Sequence, residues 1–167
     1  LNIDKDKLIK ELVMKGAQLL KERTLFKESY FEVLQYKDSV SALRLRNEDD
    51  KTYLTVKKLP DKLNTSFLSR IEYETEVSSY DLMKKILELL GFKEFRYREK
   101  YRQSFKIYNC RVEIDEYPKI NPYLEVEAEN ENELKKFMKM FNLPILMSTN
   151  MTATQIIGKA GLDPNNL

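Results

Sequence analysis

The chain has 167 residues, with 29 Lys plus Arg against 27 Asp plus Glu, one cysteine and no histidine. That length supports a core without disulfides or structural metal and makes a single domain over residues 1–167 the expectation. The composition excludes a disulfide framework, a Cys/His zinc site and any mechanism that needs imidazole, and a net charge of +2 gives no whole-molecule field for gripping a nucleic-acid backbone or an anionic membrane.

The first element is a helix over Asp4–Lys15, with Leu8, Ile9, Leu12 and Val13 on one stripe and Gly16 as its stop. An extended region from Ala17 to Tyr36 follows and breaks at Ser39–Ser41, with strands next at Ser41–Arg46, Thr52–Leu59 and Phe67–Val77. Asn47–Asp50 and Pro60–Thr65 supply the turns between those strands. A second helix spans Ser79–Leu90, with Leu82, Met83, Ile86, Leu87 and Leu90 as its apolar positions and Gly91 at its end. Strands at Phe92–Tyr108, Arg111–Tyr117 and Tyr123–Glu129 precede helices near Glu131–Phe141 and Ala153–Ala160. Cys110 sits in the apolar alternation Cys110, Val112, Ile114 and reads as an inert core residue. No apolar run approaches the roughly 20 residues a membrane helix needs. The Leu1 start carries no signal-peptide pattern, so a cytoplasmic protein without a membrane partner is expected.

Successive strand side chains point to opposite faces, so same-parity positions form one surface. On that reading Arg44 and Arg46 share a face, as do Arg70, Glu72, Glu74 and Glu76. Arg96, Arg98, Lys100 and Arg102 line up on one strand, Arg111, Glu113 and Asp115 on another, and Glu125, Glu127 and Glu129 on a third. Solvated faces of an antiparallel sheet would account for each strand singly. Segregation by sign argues for more, because a merely soluble surface intersperses both signs. A closed barrel with these faces inward would let the cations neutralise a phosphate chain while neighbouring carboxylates hold Mg²⁺ or Mn²⁺ through oxygen.

The stretches Leu43-Arg44-Leu45-Arg46, Thr55-Val56-Lys57, Arg70-Ile71-Glu72-Tyr73-Glu74, Lys100-Tyr101-Arg102, Val112-Glu113-Ile114-Asp115 and Leu124-Glu125-Val126-Glu127, in this order, resemble the CYTH superfamily of triphosphate tunnel metalloenzymes. That family includes class IV adenylate cyclases, thiamine triphosphatases and inorganic triphosphatases. The resemblance implies an α+β fold built on an antiparallel eight-stranded tunnel-like β-barrel with flanking helices. It implies that Arg44, Arg46, Lys57, Arg70, Lys100 and Arg102 take phosphate oxygens, that Glu125, Glu127 and Asp115 hold Mg²⁺ or Mn²⁺, and that Glu72, Glu74 and Lys100 serve the catalytic step. The family opens with a strand reading Glu-x-Glu-x-Lys, which these residues lack; Asp4 and Asp6 are followed by Leu8 rather than lysine and suit a helix cap instead. One strand is therefore expected to be missing, either lying upstream in the native protein or lost in this member. The turn Lys119-Ile120-Asn121-Pro122-Tyr123 stands where cyclases of the family carry glycine, and resembles a bacterial cyclase-like subgroup.

The implied activity is that of a metal-dependent phosphohydrolase or cyclase acting on ATP, thiamine triphosphate or inorganic triphosphate. The alternative is a non-catalytic binder of phosphorylated small molecules or polyphosphate. An RNA-binding sheet is a third reading, prompted by the aromatics among the cations of Phe95–Phe105. Against it, Tyr97 and Tyr101 point away from the arginines and are expected to pack under a helix, and a face of glutamates repels a backbone, so no nucleic-acid partner is expected. Pairing of an exposed strand edge could give a homodimer.

Overall fold

In the computed structural model, residues 4–36, 39–58, 71–143 and 151–167 are described. They form a helix α1 (Lys5–Met14), strand β1 (Gln18–Phe31), a 3₁₀ turn (Leu34–Tyr36), strands β2 (Val40–Glu48), β3 (Lys51–Lys58) and β4 (Ile71–Val77), and helix α2 (Tyr80–Leu89). Then come β5 (Glu94–Ile107), β6 (Cys110–Glu116), β7 (Tyr123–Ala128), α3 (Glu131–Met140) and α4 (Ala153–Lys159). The fold is α+β, and the strand order is β4-β3-β2-β1-β5-β6-β7. The β1/β2, β2/β3, β3/β4, β5/β6 and β6/β7 registers are all antiparallel.

The described residues form seven strands, in keeping with the expectation that one of the eight is missing, and their sheet is not closed into a barrel. Among the described residues pairing ends at β4 on one edge and at β7 on the other, and no eighth strand joins them. The expected turn at Pro60–Thr65, the start of the Phe67–Val77 strand and Arg70 lie outside the described residues.

Two compact units make up the chain, one of Leu1–Thr24 with Lys100–Met151 and one of Leu25–Glu99 with Thr152–Leu167. In the first, Asp4 caps α1 by accepting the Lys7 amide, and Gly16 closes the helix with φ 85°. Leu8 and Leu12 of α1 join Phe105, Ile107, Val112, Ile114 and Phe137 in one apolar cluster, whereas Val13, expected on the same stripe, faces solvent. Cys110 belongs to that cluster as expected, and burial pushes its thiol upward. In the turn before β7, Lys119 takes φ 62°, the left-handed conformation that glycine adopts without steric cost.

In the second unit, Ser79 caps α2 and Gly91 ends it with φ 90°. The core is Phe31, Leu43, Leu45 and Leu87, with Leu54, Val56 and Met83 packed against it. Alternation thus places the odd residues of β2 under α2 and leaves Arg44 and Arg46 on the opposite face. Leu82 and Leu90, assigned by periodicity to the buried side of α2, are exposed. A capping box between Thr152 and Gln155 starts α4, which buries Ile157.

Candidate functional site

Each unit carries a charged face built by strand alternation. In the first, register sets Arg102 opposite Asp115 and Glu113 opposite Glu125, so side chains from β5, β6 and β7 meet on one side. Arg102 is the hub. It donates from Nε to Asp115 Oδ1 at 2.6 Å and from Nη2 to Asp115 Oδ2 at 2.7 Å, a bidentate fork. It also donates to Glu125 Oε2 at 2.7 Å and pairs with Glu113. Lys100 donates to Asp115 Oδ2 at 3.0 Å.

Asp115 is 1% exposed. Burial pushes its carboxyl upward, but Lys100 and Arg102 outweigh that and hold it below the ordinary carboxylate range. The structure therefore places Asp115, expected among the metal ligands, in a saturated ion pair with cations. Glu113, in the same parity row, accepts from Arg111 at 2.9 Å as well as pairing with Arg102.

Glu127 behaves oppositely. Desolvation, then the charges of Glu113 and Glu125, push its carboxyl above the ordinary range. A carboxyl raised in the folded state costs stability in full above that raised value, and the cost fades as pH falls from there to the ordinary unfolded value. Glu127→Gln should therefore raise the melting temperature near pH 8 and bring no gain near pH 4, as read by thermal melts across that window; a gain of equal size at both ends would contradict the repulsion.

Glu125 and Glu127 are hard oxygen donors beside other carboxylates, the chemistry that suits Mg²⁺ or Mn²⁺. Among the described residues no group of three or more His, Cys, Asp or Glu is arranged to hold a metal. Arg102 reaches Glu125 as well as Asp115, but Glu125 is half-exposed whereas Asp115 is enclosed by Lys100 and Arg102.

In the second unit Arg44 and Arg46 share a face with Glu28 of β1, Thr55 and Lys57 of β3, and Glu72 and Glu74 of β4. Arg44 donates to Glu28 Oε1 at 3.2 Å and to Thr55 Oγ1 at 3.4 Å, and lies 3.5 Å from Glu74 Oε2. Arg46 donates to Glu74 Oε1 at 3.3 Å and sits between the rings of Phe26 and Tyr53. Lys57 pairs with Glu72 at 2.6 Å, and Glu72 is held low, since that contact overcomes its own desolvation. Burial alone would lower Arg44, yet Glu28, Tyr30, Glu72 and Glu74 raise it above its ordinary value. The Nε donor of Arg44 is buried without a hydrogen-bond acceptor, whereas that of Arg46 pairs with Glu48 Oε2 at 3.2 Å. Glu72 and Glu74, expected to act in catalysis, are thus the counter-ions of Lys57 and the two arginines, while Arg70 lies outside the described residues.

The four-cation row of β5 is divided. Lys100 and Arg102 serve the first unit, whereas Arg96 and Arg98 are taken by the chain's last segment in the second. Arg98, 2% exposed, donates to the Pro164 carbonyl at 2.7 Å and to Thr154 Oγ1 at 2.8 Å. Arg96 donates to Asn165 Oδ1 at 3.0 Å and to Thr154 Oγ1 at 3.1 Å. Tyr101, expected to pack under a helix, is instead 38% exposed. Tyr97 Oη donates to Glu99, and the Tyr101 ring carries the Arg23 guanidinium at 3.5 Å.

Residues 4–150 match the CYTH domain, and the chain belongs to that family. It is 28% identical over 169 residues, 98% of this chain and 94% of the other, to the Methanocaldococcus jannaschii protein named "Putative adenylate cyclase MJ0240". The PH1012 protein of Pyrococcus horikoshii superposes with a TM-score of 0.74 at 22% identity, covering 93% of this chain and 94% of that one. A Hippeastrum protein named "Putative adenylyl cyclase HpAC1", described as having a dominant triphosphatase activity, superposes with a TM-score of 0.61 at 16% identity over 93% and 90% of the two chains. No helix among the described residues is long and apolar enough to cross a membrane.

Proposed function

We propose that this protein is a metal-dependent enzyme that hydrolyses or cyclises a triphosphate-bearing substrate. The observation that carries the reading is the buried Nε donor of Arg44, which has no acceptor, on a face whose other cations, Arg46 and Lys57, are paired with carboxylates. A buried guanidinium N–H without an acceptor costs more than a hydrogen bond is worth, and a phosphate oxygen would relieve it. Membership of the CYTH family and the names of the relatives support the substrate class.

In this reading Arg44, Arg46, Lys57, Arg70, Lys100 and Arg102 take phosphate oxygens, and Glu125 and Glu127 hold Mg²⁺ or Mn²⁺, whose remaining ligands come from phosphate and water. When bound, the metal supplies charge neutralisation at the transferred phosphorus and activation of a water or ribose hydroxyl. The residues of the chain act by positioning and by fixed positive charge, the main contributions a protein makes to phosphoryl transfer. The family's eight-stranded tunnel is the fold that goes with this chemistry. A cytoplasmic location suits a substrate drawn from nucleoside or inorganic triphosphates.

A non-catalytic triphosphate binder is the second reading, favoured by the lack of a three-carboxylate metal group among the described residues. Both readings are tested by offering ATP, thiamine triphosphate and inorganic triphosphate with Mg²⁺ or Mn²⁺ to the protein and to its Glu125→Gln/Glu127→Gln variant. Cyclic AMP or phosphate release that falls by roughly 100-fold or more in the variant is the expected result. Tight triphosphate binding without turnover would establish the binder, and neither binding nor turnover would sink both.

A further inference from the structure

We propose that Glu28 is a positioning residue for Arg44, with Tyr30 as its brace; the inference rests on the reading of Arg44 as a phosphate ligand. Glu28 is 1% exposed on β1, and register places Tyr30, its same-face neighbour two residues on, directly opposite Arg44. One carboxylate oxygen accepts from Arg44 Nη1 at 3.2 Å and the other from Tyr30 Oη at 3.1 Å. A planar guanidinium gripped along one edge has its rotation fixed, so its free edge points in one direction. On the far side Thr55 and Glu74 grip Nη2, and Thr55 is itself fixed by donating to Glu74 at 2.7 Å. Arg44 is thereby clamped through both terminal nitrogens, and Nε is the donor left without an acceptor. The Tyr30 ring is in turn held by Arg96 and Arg98, whose guanidinium carbons lie 5.5 and 5.8 Å from its centroid.

This places Glu28 outside the phosphate-binding set. It acts through Arg44, by keeping the guanidinium aimed before substrate arrives, so that binding does not have to order it. Glu74 divides its two oxygens between Arg44 and Arg46, whereas Glu28 meets Arg44 through the other terminal nitrogen.

The test is a double-mutant cycle with inorganic tripolyphosphate as the probe, read by calorimetric titration and by melting temperature on wild type, Glu28→Gln, Glu28→Asp, Arg44→Ala and the Glu28→Gln/Arg44→Ala pair. Glu28→Gln should weaken binding roughly 10- to 100-fold, the effect of neutralising one charge-assisted hydrogen bond. Glu28→Asp should restore part of the loss, and the paired variant should bind no more than about threefold worse than Arg44→Ala alone, because both changes act on one group. Losses that simply multiply in the pair, or wild-type affinity in Glu28→Gln, would overturn the positioning role while leaving the triphosphate reading intact. A wild-type protein that ignores tripolyphosphate would overturn that reading, and this proposal with it.

Discussion

Asp115→Asn should lower the stability of the protein by about 3–5 kcal/mol, the usual result of removing one partner from a buried ion pair. The carboxylate accepts three hydrogen bonds, one from Lys100 and two from Arg102, and is 1% exposed. Asparagine keeps the shape but offers one acceptor oxygen and no charge, so two cations remain in a dry site with less compensation. For a chain of this size the loss corresponds to a melting temperature lower by on the order of 10 °C. The pH dependence has a definite sign. A carboxyl held below its unfolded value of about 3.9 contributes stability above that value and loses it as pH falls through the folded one. Wild type and Asp115→Asn should therefore differ fully from about pH 5 to pH 8 and converge only in strong acid. A difference that closes already near neutrality would mean that Asp115 is not the charge that matters here.

Arg98→Met is the second large effect, and its readout is local. Arg98 holds the last segment of the chain through the Pro164 carbonyl and the Thr154 hydroxyl, and both bonds come from a charged donor in a buried place. Methionine fills much of the volume but strands the Pro164 carbonyl, at about 1–3 kcal/mol for a buried group left unpaired, while Thr154 Oγ1 keeps its bond from Arg96. The amides of Tyr97 and Glu99 donate to Asn165 and Leu167, so release of this segment should expose them. Hydrogen exchange should accelerate at Tyr97 and Glu99 well before it does at Val112 or Ile114 in the other unit. Unchanged protection at Tyr97 would show that the backbone bridge holds the segment without the arginine.

The same residues show how far the chain could be read without its fold. Parity is a local property of an extended backbone, so Arg96, Arg98, Lys100 and Arg102 were correctly placed on one face, and so were Glu113 with Asp115 and Glu125 with Glu127. Helix caps are equally local: Asp4, Ser79 and Thr152 stand where an orphan amide needs an acceptor within three residues. Glu28 had no such signal. It stands in an extended segment between Phe26 and Tyr30, and nothing in that pattern names Arg44, a strand away, as its partner.

Partner choice belongs to the tertiary structure because charge pairing depends on register and chain crossing. The sequence by itself determined the elements, their alternating faces, the cysteine in the core and the family. Only the fold decided that Asp115, Glu72 and Glu74 are paired with cations, that the β5 row is shared between two units, and that Arg44 keeps one buried donor without an acceptor. The physical reason is distance along the chain. A capping bond closes over three residues, whereas Arg98 meets Pro164 across a separation of 66, which no local pattern records.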